Sequence, residues 1–426
     1  MREIQIKKLF GRFDYSILLK KEGLTIITGP NGYGKSTILK IINALTKGFS
    51  GLFFFFELDF VSISISFNDK SKIEIKKEKN KILLNKIEIS EVFFKENMIR
   101  DLNRYPMYYR IGEDTWINRR TDEKFTLNDY LYKKYTESLD YNLQNDILEN
   151  DKENLYDLFE KIKKQIGNIY YINEQRLIKE IHNRRDEIEY KSTIDDLPEK
   201  LLDRINQVQN NYSAISNKLD STYPQRLFSN EDAISKAEFE TKLESMTSKN
   251  EKLKQYRFVE ESITTGLKFK DEYAKALKIY FDDFEAKYKV YEDLIAKLDL
   301  YTEIINARLT FKHIEISKEE GLVVKSDNDL NRIICLSKLS SGEKQEIVLF
   351  YDLIFGSDDK VLLLIDEPEI SLHIIWQKTF MNDLIKVIKY KKIDVIVATH
   401  SPQIISNHWE QQVDLGELYE QQLNKN

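Results

Sequence analysis

Eight consecutive residues, Gly29-Pro30-Asn31-Gly32-Tyr33-Gly34-Lys35-Ser36, fit the G-x-x-x-x-G-K-[ST] pattern without a gap. The glycines let backbone N–H groups turn inward and converge on an anion. An apolar run, Leu24–Thr28, enters the loop as a strand, and Thr37–Leu45 leaves it as a helix whose N-terminus favours negative charge. A lysine in this place reaches β/γ-phosphate oxygens, and the hydroxyl after it can ligate Mg²⁺. Asn31, Gly32, Tyr33, Gly34, Lys35, Ser36 and Thr37 are therefore candidate phosphate contacts, with Ser36 also a candidate metal ligand.

Two acidic residues, Asp366-Glu367, follow Val361–Ile365, which is apolar throughout and so reads as a buried parallel strand. A carboxylate at the carboxyl end of such a strand falls beside the phosphate loop, where a divalent cation needs oxygen ligands. Asp366 is then a candidate metal ligand and Glu367 a candidate base for an attacking water. Alone, the pair could also be a helix N-cap. Leu339-Ser340-Ser341-Gly342-Glu343-Lys344-Gln345 precedes an amphipathic helix and by itself reads as a helix start, serine cap first and Glu and Gln in the first turn. His400, in Ala398-Thr399-His400-Ser401-Pro402, follows a further strand at 393–397.

These residues need a scaffold. The first hundred positions are strand-rich: Val61, Ile63, Ile65 and Phe67 alternate with serines, and after Asn68-Asp69-Lys70 the alternation resumes at Ile73 and Ile75. This predicts an antiparallel meander with one buried face, interrupted by the loop and helix of 29–46. Residues 90–165 are aromatic-rich and expected to be mostly helical, and the short apolar run Leu52–Phe56 has the length of a strand. From 177 to 309 the composition is that of extended helices. Leu201, Ile205, Val208, Tyr212, Ile215 and Leu219 form one heptad seam, Tyr223-Pro224 is expected to break it, and Phe281, Phe284, Tyr288, Tyr291, Ile295 and Leu298 form a second. The two seams suit a compact helical lobe or a protruding coiled-coil arm. Strands return at 311–316 and 322–325, and the last twenty or so residues read as a polar tail.

Composition narrows the classes. Of 426 residues, 41% are hydrophobic and 32% charged, which excludes general disorder and, with 14 glycines and 6 prolines, favours long exposed helices. A net charge of −6 gives no generally basic nucleic-acid binder. One cysteine, Cys335, excludes an internal disulfide and a multi-cysteine zinc site within one chain. No apolar run reaches the ~18 residues of a membrane helix and no signal-peptide layout is present, so a cytoplasmic location with no membrane partner is expected.

Phosphate loop, Gln175 after a strand, the Ser340–Gly342 motif, Asp366-Glu367 and His400 stand in an order that resembles ATP-binding-cassette ATPases. The fold implied is an α/β P-loop cassette, mixed sheet plus antiparallel meander, split as 1–176 and 310–426 around a helical or coiled-coil insertion at 177–309. The insertion resembles the branch of SMC, RecF-type repair and OLD-like ATPases, and His373 after Glu367 supports the OLD-like side. The resemblance implies Mg²⁺-dependent ATP hydrolysis in a head-to-tail homodimer or ring of dimers. In it Ser340 and Gly342 contact the γ-phosphate from the opposite subunit, His400 acts as the switch histidine, and Gln175 assists metal and catalysis. Arg12 and Phe13 are weak candidates for the adenine contact. The segment Ala398–Trp409 resembles ATPases of bacterial anti-phage systems such as PARIS and Septu, in which a TOPRIM- or HNH-type nuclease is a separate polypeptide. With 26 residues after His400, a nuclease domain on the same chain is not expected. The implied role is a sensor or scaffold that controls an effector nuclease after a DNA or phage-protein trigger. The alternative is a DNA repair or recombination ATPase acting on DNA, and a transporter subunit is disfavoured.

Overall fold

The computed structural model describes residues 1–137, 152–172, 178–182, 188–259, 267–329, 332–356, 361–370 and 372–424. Chain contacts divide it into two compact units, residues 1–191 with 356–426, and residues 192–355. The first unit opens with β1 (Glu3–Leu9), β2 (Phe13–Leu18) and β3 (Leu24–Thr28), followed by α1 (Lys35–Thr46) and α2 (Gly48–Glu57). Next come β4 (Ser62–Ser66), β5 (Lys72–Glu78), β6 (Lys81–Leu84), β7 (Ile87–Ser90) and α3 (Glu91–Arg104). A small group, β8 (Tyr108–Arg110), β9 (Thr115–Asn118) and β10 (Lys124–Thr126), precedes α4 (Leu127–Glu137), α5 (Lys152–Ile166), β11 (Asn168–Ile172), β12 (Ile178–His182) and β13 (Ile188–Ser192). The second unit holds α6 (Leu197–Ser229), α7 (Lys236–Gln255), α8 (Ala274–Asn306), β14 (Lys312–Ser317), β15 (Gly321–Ser326), β16 (Ile333–Ile334) and α9 (Ser341–Phe355). The first unit is completed by β17 (Val361–Asp366), α10 (Ile374–Lys391), β18 (Asp394–Ala398), α11 (Pro402–Ile405), β19 (Gln412–Asp414) and α12 (Leu415–Leu423).

The fold is mixed α/β. An antiparallel sheet runs in the order β2-β1-β4-β5-β6-β7, and a parallel sheet in the order β11-β17-β18-β3-β19. The predicted alternation builds the first: Ile4 pairs with Ile65, Ile6 with Ile63, and these in turn with Ile73 and Ile75, all buried, while the intervening serines face the other way. The second is apolar on both faces at its centre, every residue of β17 being buried. One hydrophobic core joins the isoleucines of the meander, Ile38, Leu39, Ile41 and Ile42 of α1, and Leu362, Leu364 and Ile396 of the parallel sheet.

Two expectations are corrected in this unit and one is refined. The phenylalanine run at 53–56 is helical, not a strand. A short apolar run has no decisive period, and here Phe49, Leu52 and Phe55 bury one helical face. The stretch 90–165 is mostly helical among its described residues, as expected, and residues 108–126 add the three-stranded sheet β10-β9-β8 around the buried Trp116. The C-terminal residues are not a loose polar tail: β19 pairs with β3, and Asp414 caps α12 by accepting from the amides of Gly416 and Glu417. Few apolar residues do this work, chiefly Val413, Leu415, Leu418 and Tyr419 against the core.

In the second unit α6 and α8 run antiparallel, since Tyr212 meets Tyr291, Asp220 meets Lys287 and Arg226 meets Asp283. The α7 helix lies along α8 through Lys242–Asp282, Lys249–Glu285 and Lys252–Asp299, and Phe239, Met246, Leu277 and Phe281 make a local core. This is packed helical structure, with Leu201 and Ile205 of the first seam buried but Ile215 exposed. Pro224 does not end α6, which continues to Ser229. A proline removes one N–H and crowds the preceding turn. Side chains on either side of it add bonds to the helix: Thr222 donates to the Lys218 carbonyl, and Arg226 donates to the Leu219 carbonyl while gripping Asp283 with two bonds of 2.6 and 2.7 Å.

Gly51 is where α2 touches α1, and a Cβ there would sit 2.0 Å from the Ala44 carbonyl oxygen. Gly51→Ala should therefore lower unfolding stability by about 1–3 kcal/mol, measured by denaturant unfolding. A second variant, Gly112→Ala, would meet nothing closer than 3.5 Å and should change little.

Candidate active site

Strand register assembles the site. In the parallel sheet Asp366 stands beside Ala398, Ala398 beside Ile27, and Thr28 beside Asp414. The carboxyl ends of β17, β18 and β3 thus deliver Asp366-Glu367, Thr399-His400 and the Gly29 loop to one edge. This edge is where open α/β sheets place ligands.

The phosphate loop is held from several sides. Gly34, at φ 87°, lies so near the β1 end that a Cβ would come within 2.9 Å of Leu9 Cδ2, which explains the glycine. The Lys35 ammonium is buried and donates to the carbonyls of Gly29 (2.9 Å) and Pro30 (3.3 Å). Tyr15 donates its hydroxyl to the Tyr33 carbonyl at 2.9 Å, and the Tyr33 ring packs with Phe13 and Tyr419. Burial, followed by the neighbouring Tyr33 and Tyr419, pushes the Tyr15 phenol well above its usual range. Asn31 and Gly32 stay exposed at the tip.

Ser36 donates to Asp366 Oδ1 at 2.8 Å, and Tyr171 of β11 donates to Oδ2 at 2.9 Å. A hydroxyl and a carboxylate set side by side next to a loop of amides form a hard oxygen donor set that suits a small divalent cation. Glu367 follows at φ 46°, a left-handed conformation unusual for a glutamate, and its amide donates to the Ala398 carbonyl at 2.9 Å. Its carboxylate lies 2.7 Å from His400 Nδ1, and Glu369 lies 3.1 Å from the same nitrogen. Burial raises the Glu367 pKa above the usual carboxylate value, and the nearby Glu369 adds to this, while His400 and Lys35 oppose it.

The predicted residues separate into groups. Lys35, Ser36, Asp366, Glu367 and His400 share this edge, and Thr37 continues into the first turn of α1. Ser340 and Gly342 belong to the second unit at the start of α9. There the Ser340 hydroxyl accepts from the Glu343 amide at 3.3 Å and Glu343 accepts from the Ser340 amide at 3.0 Å, a reciprocal cap. Lys312 braces Glu343 at 2.9 Å. Gln175 lies outside the described residues. Phe13 is buried among aromatic rings, and Arg12 is exposed with its guanidinium 5.9 Å from the Phe13 ring centre. His373 caps α10 by accepting from the Ile375 amide. Sequence reasoning missed Tyr171, which reads as one more aromatic in a strand, and Glu369, whose only signal was its place two residues after Glu367.

The AAA ATPase domain family matches residues 1–405, so the chain belongs to that family and is a nucleotide-binding ATPase. No curated protein matches it. Among solved structures it is similar to the Smc head domain of Pyrococcus furiosus with an extended coiled coil, bound to the C-terminal domain of ScpA. That pair is 14% identical over 95% of this chain and 90% of the other, with a TM-score of 0.37. The SMC head domain of Thermotoga maritima is 13% identical over 96% and 93%, with a TM-score of 0.32. Among the described residues no helix is long and apolar enough to cross a membrane.

If the raised Glu367 carboxyl must be ionised to act, kcat/KM for ATP, which reports free-enzyme groups, should fall on acidification. The midpoint should lie above the 4.5 of an ordinary glutamate. Rate profiles from pH 4 to 8 check this, and Glu367→Gln should lose that limb.

Proposed function

We propose that hydrolysis takes place at the carboxyl edge of the parallel sheet. Lys35 and the amides of Asn31, Gly32, Tyr33 and Gly34 bind the β- and γ-phosphates, with Thr37 beside them. Ser36 and Asp366 would hold Mg²⁺, with Gln175 as a further ligand proposed from its place in the sequence. The metal, when bound, neutralises phosphate charge. Glu367 accepts a proton from the attacking water, and His400, held 2.7 Å from Glu367, faces the γ-phosphate. The observation that carries this reading is the contact of Ser36 with Asp366 at 2.8 Å, across 330 positions of sequence, with Lys35 on the adjoining turn.

The cassette reading extends to assembly. Its two halves flank the helical insertion, and two copies pair head to tail so that Ser340 and Gly342 of one complete the phosphate site of the other. Helix-N-terminal amides and a capping serine suit a γ-phosphate. ATP then holds the dimer and hydrolysis releases it, moving the helical insertion. The biological role that fits the resemblance of Ala398–Trp409 is that of a sensor or scaffold ATPase in anti-phage defence, located in the cytoplasm and controlling a separately encoded nuclease.

Light scattering of Glu367→Gln protein with and without Mg-ATP, beside wild-type turnover, tests the mechanism. The expected outcome is a doubling of mass with ATP and a loss of turnover of about 10²–10⁴-fold. A mass indifferent to ATP would refute the ATP-held dimer. Turnover that rises with added DNA and falls back with salt would move the role to DNA repair.

A further inference from the structure

Glu369 has no part in the scheme above, yet it is placed at the centre of the edge. Its residue is only 7% exposed, and its carboxylate lies between the Glu367 turn and the 399–401 turn. Oε1 accepts three hydrogen bonds: from the Thr399 hydroxyl at 2.7 Å, the His400 amide at 2.9 Å and the Ser401 amide at 3.2 Å. All three donors belong to the turn that carries the imidazole, and His400 Nδ1 is 3.1 Å from the same oxygen. The turn is braced further by α10. Gln377 accepts from the Ser401 hydroxyl at 2.8 Å and donates to the carbonyls of Glu369 and Leu372.

Burying a carboxylate is unfavourable unless donors surround it. Here one oxygen is saturated, and Oε2 has no hydrogen-bond partner among the described residues. A group that existed to fill space would be apolar, and the basic side chain beside Glu369, His400 at 3.1 Å, belongs to the same turn that its hydrogen bonds hold. Glu369 instead spends its acceptor capacity on two successive backbone amides and a hydroxyl. That arrangement fixes where the 399–401 backbone sits relative to Glu367, two residues before Glu369 in the same turn.

We infer that Glu369 is a positioning residue: it fixes the His400 turn against the Glu367 turn, so that imidazole and carboxylate face the reacting phosphate together. This rests on the site reading given under the proposed function. It acts through His400 and touches no substrate.

The test uses two replacements of similar size. Gln can present its carbonyl oxygen to the same three donors, with its NH₂ where Oε2 lies, whereas the Met thioether is only a weak acceptor. Glu369→Met should lower kcat by about 10- to 100-fold, as removal of a supporting partner does elsewhere, with KM for ATP unchanged within about twofold. Glu369→Gln should stay within about threefold of wild type. Adding Glu369→Met to His400→Ala should cost less than about twofold more, because residues that act as one unit are not additive. Thermal unfolding of each variant accompanies the kinetics. If His400→Ala slows turnover and Glu369→Met leaves kcat near wild type, the inference alone fails. It fails equally if Glu369→Met costs as much in the His400→Ala background as in wild type, or raises KM with kcat unchanged, or is matched by Glu369→Gln in loss. If His400→Ala itself leaves kcat unchanged, the site reading falls first, and the role given to Glu369 falls with it.

Discussion

The hydrogen-bond register of three parallel strands is the constraint on which the site depends. Because Asp366 pairs with Ala398 and Ala398 with Ile27, the residues that follow each strand emerge at one height. A slip of one residue in β17 would turn Asp366 to the opposite face of the sheet. Several features resist such a slip. All six residues of β17 are buried, so a shift would disturb apolar contacts on both faces. Ser36 and Tyr171, from either side, bond the two oxygens of Asp366. The Glu367 amide is tied to Ala398 on the neighbouring strand.

That constraint concentrates negative charge. Asp366, Glu367 and Glu369 lie within four residues of one another, and the first unit meets this with Lys35, with hydroxyls, with amides and with the half-exposed His400. The three carboxylates are treated differently. Asp366 is bonded at both oxygens by hydroxyl groups. Glu369 is enclosed and bonded by backbone. Glu367 keeps its carboxylate partly open beside the imidazole, and burial together with Glu369 raises its pKa. The three environments differ in what they leave open: of the three, only Glu367 combines partial exposure with a contact to the imidazole. The positive φ of Glu367 belongs to the same picture, since the chain adopts a costly conformation to turn that side chain toward the edge.

The strongest sequence signals were those in which local chemistry and local geometry coincide. The phosphate loop needs glycines, a lysine and a hydroxyl in fixed places between a strand and a helix, and the structure has β3, the loop and α1 there. The serine–isoleucine alternation at 61–75 likewise specified the meander, because period two leaves little choice when one face is buried. Elsewhere the deciding forces are tertiary. The phenylalanines of α2 carry no period that separates strand from helix, and only their packing on α1 selects helix. Pro224 reads as a stop, yet Arg226 and Asp283 hold α6 together from across the helix pair. Glu369 was illegible for the same reason, since its meaning lies in a turn thirty residues away.

The C-terminal segment shows how a polar stretch becomes part of a site. Its apolar content is too small to announce a strand or a helix, and β19 is an edge strand held by β3 on one side. What fixes it is a compact polar knot. Asp414 accepts from the Thr28 hydroxyl at 2.9 Å and from two amides of α12, while Gln412 donates to Thr28 at 2.7 Å. Thr28 is the last residue before the phosphate loop. A Cβ on Gly29 would come 3.1 Å from Leu415 Cβ, and Tyr419 sets its ring edge-on to Tyr33 in the loop itself. Gln422 reaches Asp14 on β2, behind the same loop. Residues of 412–422 thus pack against the loop and the strand that enters it, so packing joins the glycines in setting the loop's conformation. An anion-binding loop works by presenting amides already aimed, and this segment supplies part of the aim from the far end of the chain.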